Sequence, residues 1–507
     1  MSTSETASPD GTLVVVSNRL PYNLPRGASV REPKRNVGGL VNALEPVLAA
    51  GYGAWIGWDG HALSSAAAVS AALAEPRSWR TPSGIELYGV PLSEREMLRY
   101  YRGLSNRTIW PLFHGLLDKT VFLPEDYAAY CRVNHRFAQT TLARAAKGDR
   151  IWVHDYQMML VPRFLREMGF QGLVDFFMHI PFPPPEIYRA LPWREEIIQS
   201  LLSSDTVAFH VESYRDNFVR AATGLFDGRV TGKALGSEVL LSHPWGDTIA
   251  AFAPIGIEVE EFERIAGLDS VADKVRRLER AHGGRRILFG ADRLDYTKGI
   301  KERLLATERF LARYPDRAGS FDLLQVVVPS RSQVEEYRGL KREIDQHVGR
   351  INGEFGRDGW TPIHYRYRAL AREELVSLYR AASVAVVTPL RDGMNLVAPE
   401  FVASRTDDDG VLVLSEFAGV SEHLTDALRV NPYDIDSFAE TLRQALDMPE
   451  EARGDHMRGL RRTVSGNPIS KWAKRCLGLG GSRKHFDRSG VEVRGVNDAA
   501  WRHVDRE

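Results

Sequence analysis

The sequence predicts an α/β protein made of two Rossmann-like halves, each a parallel sheet with helices on its faces. Three observations carry that prediction. Short apolar runs recur, each followed by a polar loop and a helix-patterned segment, which is the alternation of a parallel α/β sheet. The pattern restarts after Ala251-Phe-Ala-Pro-Ile-Gly256. The chain has 507 residues, a length that favours two or more domains.

The elements follow in order. Thr12-Leu-Val-Val-Val-Ser17 is a continuous apolar strand, the mark of burial on both faces. A second strand at 150–154 leads into a helical pattern at 158–167. Residues 174–178 form the next, followed by the proline-rich Ile180-Pro-Phe-Pro-Pro-Pro185, and 206–209 precedes a helix at 214–223. Past the restart, 286–290 is a strand, and 300–311 has the apolar spacing of an amphipathic helix. Further strands lie at 323–328, 384–388 and 411–415. The boundaries expected are an N-terminal domain at 1–253 and a C-terminal domain at 254–467. Glycine and charge from 479 to 507 read as a flexible tail. No repeat of fixed short period suggests a solenoid.

Composition excludes several functions. Lys+Arg and Asp+Glu are both 66, so no global field points to nucleic acid or a membrane. The two cysteines, Cys131 and Cys476, are too few for a disulfide scaffold or a Cys-based zinc site. Residues 1–11 are small and polar, with no basic stretch before an apolar one, and no apolar run could span a bilayer. A soluble cytoplasmic protein is expected.

Two loops carry the chemistry. Gly290-Ala-Asp-Arg293-Leu-Asp-Tyr-Thr-Lys298-Gly299 offers two fixed cations. Thr388-Pro-Leu-Arg-Asp392-Gly393-Met-Asn-Leu-Val-Ala-Pro-Glu400 offers backbone N–H groups at a helix start, a natural anion site. Both sit at the carboxyl ends of strands, where open α/β sheets bind ligands. Together they describe a pocket for a doubly charged leaving group such as a nucleotide diphosphate. The acidic runs that could hold a metal are Asp407-Asp408-Asp409, which reads as a solvated loop, and Asp434-Ile-Asp436. Neither makes a metal motif, so fixed cations must stabilise the leaving group, and no metal or cofactor is expected.

On the N-terminal side, Arg19 ends the first strand. Arg26, Arg31, Lys34 and Arg35 precede Gly38-Gly39-Leu40, a basic loop that reads either as a lid over an anion or as a solvated loop. Asp155 follows one strand and His179 ends the next. Tyr100-Tyr101-Arg-Gly-Leu-Ser-Asn106, then Trp110-Pro111, adds aromatic donors.

These blocks resemble the trehalose-6-phosphate synthase family, retaining glycosyltransferases of the GT-B fold, from about residue 13 to about residue 434. The resemblance implies two Rossmann-like domains facing across a cleft, with a last helix, about 468–478, returning to the first domain. It implies transfer of glucose from a nucleotide-glucose, UDP-glucose foremost, to glucose 6-phosphate. Arg293 and Lys298 would hold the diphosphate, with Leu396 and Val397 presenting N–H groups. Asp392 would bind donor-glucose hydroxyls, and Glu400 the ribose diol. Gly39, His179 and Gly393 complete the donor set. Arg19, Tyr101, Trp110 and Arg331 would surround the acceptor phosphate, with Asp155 on the acceptor hydroxyls. Asp155, His179, Arg293, Lys298 and Asp392 would be the catalytic group, in a same-face displacement where a leaving phosphate oxygen takes the proton.

One departure stands out. The family usually has Lys where this chain has Pro399, and proline is tolerated only near a helix start. The helix is therefore expected to begin about Asn395. A transferase using another phosphorylated acceptor, such as glycerol 3-phosphate, and an inactive sugar-phosphate sensor remain open alternatives, as does a homo-oligomer.

Overall fold

The computed structural model describes residues 12–24, 33–35, 39–50, 53–75, 77–331 and 334–479. The backbone divides into two compact units, Met1–Ala253 with Ala473–Glu507, and Pro254–Trp472.

The first unit is built on a ten-stranded sheet. From edge to edge its strands are Thr231–Leu235, Glu238–His243, Gly246–Phe252, Thr206–Phe209, Val174–Phe177, Arg150–His154, Leu13–Arg19, Ala54–Leu63, Glu86–Ser93 and Ser78–Arg80. The strands from Gly246–Phe252 to Glu86–Ser93 pair in parallel. Val15, Val153, Phe176 and Val207 are fully buried at its centre, which explains their unbroken apolar runs. Both edges turn antiparallel, which the alternation of strands and helices does not predict. The hairpin at Gly236, in the left-handed region at φ 62°, needs no crossover helix and so has no helical pattern to announce it.

The helix expected at 158–167 is shorter. A single turn at Tyr156–Met158 precedes Val161–Glu167, because Pro162, lacking an N–H, fits only in the first helical turn. Residues Met97–Ile109 form a wide, π-type helix. Gly103 lies against buried Asp126, where a Cβ would come 2.4 Å from a carboxylate oxygen. Arg99 and Arg107, from both ends of this helix, donate to Asp126 at 3.1 and 2.8 Å.

The second unit has six strands, all parallel, in the order Ile363–Tyr367, Phe321–Val328, Arg286–Arg293, Val384–Val387, Val411–Ser415 and Leu428–Val430. Sequence order runs outward in both directions from the junction of Arg286–Arg293 with Val384–Val387. That junction is a topological switch point, where the loops leaving adjacent strands part and leave a crevice.

The chain passes from the second unit to the first within helix Ile469–Gly478. Arg150 fastens its end by donating to the Leu477 carbonyl and to Asp175. No helix among the described residues is long and apolar enough to cross a membrane. The expected tail lies outside the described residues beyond Leu479.

Candidate active site

In the second unit both motif loops leave the switch point and are joined to each other. Leu390 N–H donates to the Thr297 carbonyl at 2.7 Å. Gly299, at φ 63°, lets the chain pass so close that a Cβ would sit 1.9 Å from the Thr388 carbonyl oxygen. Beneath them Arg303, fully buried, donates to Asp292 at 2.7 Å, Gln325 at 2.8 Å and Thr388 at 3.2 Å. Sequence reading passed over Arg303. Its signal was a charge at a core position of an amphipathic helix, three residues after Ile300.

Lys298 is 9% exposed, and its ammonium lies 2.5 Å from Asp392 Oδ2. Asn395 donates to the same oxygen at 3.1 Å. Arg293 is exposed at the end of its strand. Asp295 caps the turn Tyr296–Lys298, accepting from Thr297 N–H at 3.0 Å and Thr297 Oγ1 at 2.9 Å. Burial would raise its pKa, but the charges of Arg331, Lys298 and Arg293 hold it below the usual value. Arg331 stands at φ 47°, a strained position for a non-glycine residue.

The helix carrying the second loop is Val397–Ser404, two residues later than expected. Asn395 adopts φ 69° and cannot begin it, and Pro399 is still within the first turn, where no N–H is needed. Val397 N–H donates to Asn395 Oδ1 at 3.2 Å, so this donor already has a side-chain cap. Beside it, Gly393 is closely approached by Gly419, whose Cβ would lie 2.1 Å from the Gly393 carbonyl oxygen. Glu400 keeps some surface, yet its carboxylate is enclosed, and burial pushes its pKa up to about 7 against the hydrogen bond from Tyr379 OH at 3.0 Å.

The acidic runs have other partners. Asp407 pairs with Arg380 at 3.0 Å, Asp408 with Arg461 at 3.1 Å and Asp409 with Arg453 at 2.6 Å. The run keeps the solvent exposure expected of a solvated loop, its carboxylates 38–45% exposed, and arginines both adjacent and distant in sequence pair with it. Asp434 caps helix Ile435–Asp447. Among the described residues, His282, Asp322 and His364 have ligand atoms within 4.8 Å of one another. The Asp322 carboxylate, however, already accepts from His282 at 2.6 Å, Trp360 at 2.9 Å and Arg285 at 3.1 Å. A guanidinium in that shell opposes a cation, and the trio lies at the amino ends of the strands, opposite the motif loops.

The first unit assembles a different set. Asp155 holds φ 76° and ψ 168°, a region that is essentially glycine's, at a cost of about 1–3 kcal/mol. Its Oδ1 accepts from His179 N–H at 3.2 Å, so these two expected residues are brought together. His154 Nδ1 lies 3.1 Å from His179 Nε2. Burial drives His154 down to about 3 and, with the neighbouring His210 and His154, pushes His179 well below the usual imidazole value. Sequence reading did not assign His154, whose motif neighbour Asp155 drew the attention.

Arg19 donates to Asn23 at 3.0 Å and lies over the Trp58 ring. Tyr100 OH donates to Asn18 at 2.8 Å, which ties the neighbour of Tyr101 to the neighbour of Arg19. Asn106 donates to the Tyr101 carbonyl at 2.6 Å and accepts from Tyr156 OH at 2.9 Å, while Trp110 packs on Tyr156 with ring centroids 5.7 Å apart. Of the basic loop, Arg26, Arg31 and Gly38 lie outside the described residues. Gly39 opens helix Gly39–Ala50, and Arg35 pairs with Glu45 at 2.7 Å.

Comparison with known proteins adds independent findings. The model of glycosyltransferase family 20 matches residues 11–478. The trehalose-6-phosphate synthase of Mycobacterium leprae is 41% identical over 479 residues, 92% of this chain and 94% of that one. A UDP-forming α,α-trehalose-phosphate synthase from Burkholderia xenovorans, solved in complex with glucose-6-phosphate, is 33% identical with a TM-score of 0.83, covering 92% of this chain and 99% of that one. An E. coli trehalose-6-phosphate structure bound with UDP-2-fluoro glucose has the same identity and TM-score, covering 92% and 98%.

Proposed function

The chain belongs to glycosyltransferase family 20 and has the GT-B fold, and on that premise we propose how its two units divide the reaction. The enzyme transfers glucose from a nucleotide-glucose to glucose 6-phosphate, with retention, to give trehalose 6-phosphate. The donor nucleotide is UDP, the nucleotide of the solved relatives.

The second unit binds the donor. Arg293 and Lys298 take the diphosphate, assisted by the N–H of Leu396 and by that of Val397 once it exchanges Asn395 Oδ1 for a phosphate oxygen. Asp392 orients the glucose hydroxyls, and Glu400 accepts from the ribose diol. The single observation that carries this reading is Lys298 held against Asp392, with its loop joined to the second motif loop at the switch point. The cation is placed before any phosphate arrives, and preorganised charge of this kind is commonly the largest catalytic contribution.

The first unit binds the acceptor. Asp155 meets its hydroxyls, and Arg19, Tyr101 and Trp110 meet its phosphate; Arg331 is likewise assigned to the phosphate of the acceptor. A neutral His179 stands at the reacting centre and donates or accepts without adding charge. The acceptor hydroxyl attacks the face from which the diphosphate leaves, and a leaving phosphate oxygen takes its proton. Positioning and fixed charge then supply the rate, with no protein nucleophile.

The test offers UDP-, ADP- and GDP-glucose with either glucose 6-phosphate or glycerol 3-phosphate, following products by mass and anomeric NMR. An α,α-linked disaccharide phosphate from UDP-glucose and glucose 6-phosphate is expected. Product with glycerol 3-phosphate alone would overturn the acceptor assignment. Binding of glucose 6-phosphate without transfer would make the protein a sensor.

A further inference from the structure

Asp295 sits between the cations of two different loops. It is 1% exposed. Its Oδ1 is taken by the N–H and hydroxyl of Thr297, which fixes the carboxylate within the turn that carries Lys298. Its Oδ2 lies 3.5 Å from Arg331 Nη1 and 3.3 Å from Tyr337 OH. Arg331 also donates to the Tyr337 hydroxyl, so carboxylate, phenol and guanidinium form a closed triangle. Arg331 needs that restraint, since its backbone stands at φ 47° on the loop leaving strand Phe321–Val328.

We propose that Asp295 is a positioning residue for the acceptor phosphate: together with Tyr337 it holds Arg331 through Nη1 and so fixes where the guanidinium that meets the phosphoryl group lies. The inference rests on the reading above that Arg331 binds that phosphate. A guanidinium fork has five N–H donors in a fixed plane. Because the group is rigid and planar, restraint at Nη1 fixes the plane of the whole guanidinium. The same carboxylate is the counter-charge for Arg293 and Lys298, so one buried anion sets the potential on the donor side and the geometry on the acceptor side.

This dual placement predicts that one affinity falls while the other does not. Asp295→Asn keeps the size and the acceptor for Thr297 but removes the charge. Calorimetric titration with glucose 6-phosphate should show binding at least about tenfold weaker, because Arg331 loses its charge-assisted restraint. Titration with UDP should show unchanged or up to about threefold tighter binding, because the donor cations lose an attached anion. Tyr337→Phe should weaken glucose 6-phosphate several-fold and leave UDP unchanged, which guards against a misfolded Asp295 variant. Loss of both affinities in parallel in both variants would make the triangle merely structural and overturn the proposal. So would unchanged or tighter binding of glucose 6-phosphate. Arg331→Ala separates the two readings. If it leaves glucose 6-phosphate affinity intact, the acceptor assignment itself fails; if it abolishes that affinity while Asp295→Asn does not, only the positioning role fails.

Discussion

The two units end their parallel strands in loops of different chemistry. In the second unit the strand ends carry charge that is already paired: Lys298 on Asp392, Arg331 on Asp295, and Arg303 on Asp292 below. In the first unit they carry one exposed arginine, Arg19, imidazoles pushed below their usual range, and an aspartate held at a strained backbone position. A doubly charged leaving group requires cations that cost little reorganisation when it departs, and pairing them beforehand supplies that. A sugar ring requires directional donors and acceptors, and imidazoles and a carboxylate joined by hydrogen bonds supply those.

The comparison breaks most visibly at Lys298. Lys298→Ala should lower kcat by about 10²–10³ with the far-UV circular dichroism unchanged. Near-normal turnover would mean that the fixed charge is not what drives departure of the diphosphate. Asp155→Gly tests the strain on the other side. Glycine adopts that φ freely, so the thermal midpoint should rise by about 2–4 °C while activity falls at least about a hundredfold. A lower midpoint would show that the carboxylate’s contacts outweigh the strain.

Glu400 gives a pH signature to the donor side. Its folded pKa, about 7, is raised above the unfolded value of 4.5, so the folded state holds the extra proton between them. Stability contributed by that proton is present at low pH and lost as pH rises through 7. Glu400→Gln should therefore be more stable than the parent at pH 8 and equal to it near pH 4.5. If the ionised carboxylate accepts from the ribose, parent affinity for UDP should weaken about tenfold from pH 8 to pH 6, and the variant's should stay flat. Calorimetry across that range checks both. The smallest effect belongs to the first unit: with His154 and His179 pushed below the usual range, the pH profile of kcat should show no imidazole inflection between pH 6 and 8. An inflection that disappears in His179→Asn would show a titrating histidine instead.

The two motif loops were legible as neighbours of the switch point because each is contiguous in sequence. Arg293 to Gly299 and Asp392 to Glu400 each lie in one loop after one apolar strand, and a parallel strand places its following loop at a known end of the sheet. The start of helix Val397–Ser404 was off by two residues because a left-handed Asn395 is a conformational choice that no apolar period records. The antiparallel edges of the first sheet and the wide helix Met97–Ile109 were not legible. The first depends on short hairpins, and the second on Asp126 reaching Arg99 and Arg107 from another helix. The partners of Asp407, Asp408 and Asp409 were not legible for the same reason, since Arg380, Arg453 and Arg461 come from elsewhere in the chain.

By itself the sequence determined the fold class, the restart into a second unit and the position of the two motif loops at strand ends, because apolar periodicity and contiguous motifs are local properties. Only the tertiary structure decided which charge meets which: Lys298 with Asp392, Arg331 with Asp295 and Tyr337, Glu400 with Tyr379, and His154 with His179. Pairing, burial and the pKa shifts that follow depend on distances between residues remote in sequence, and those distances exist only once the strands have been placed side by side.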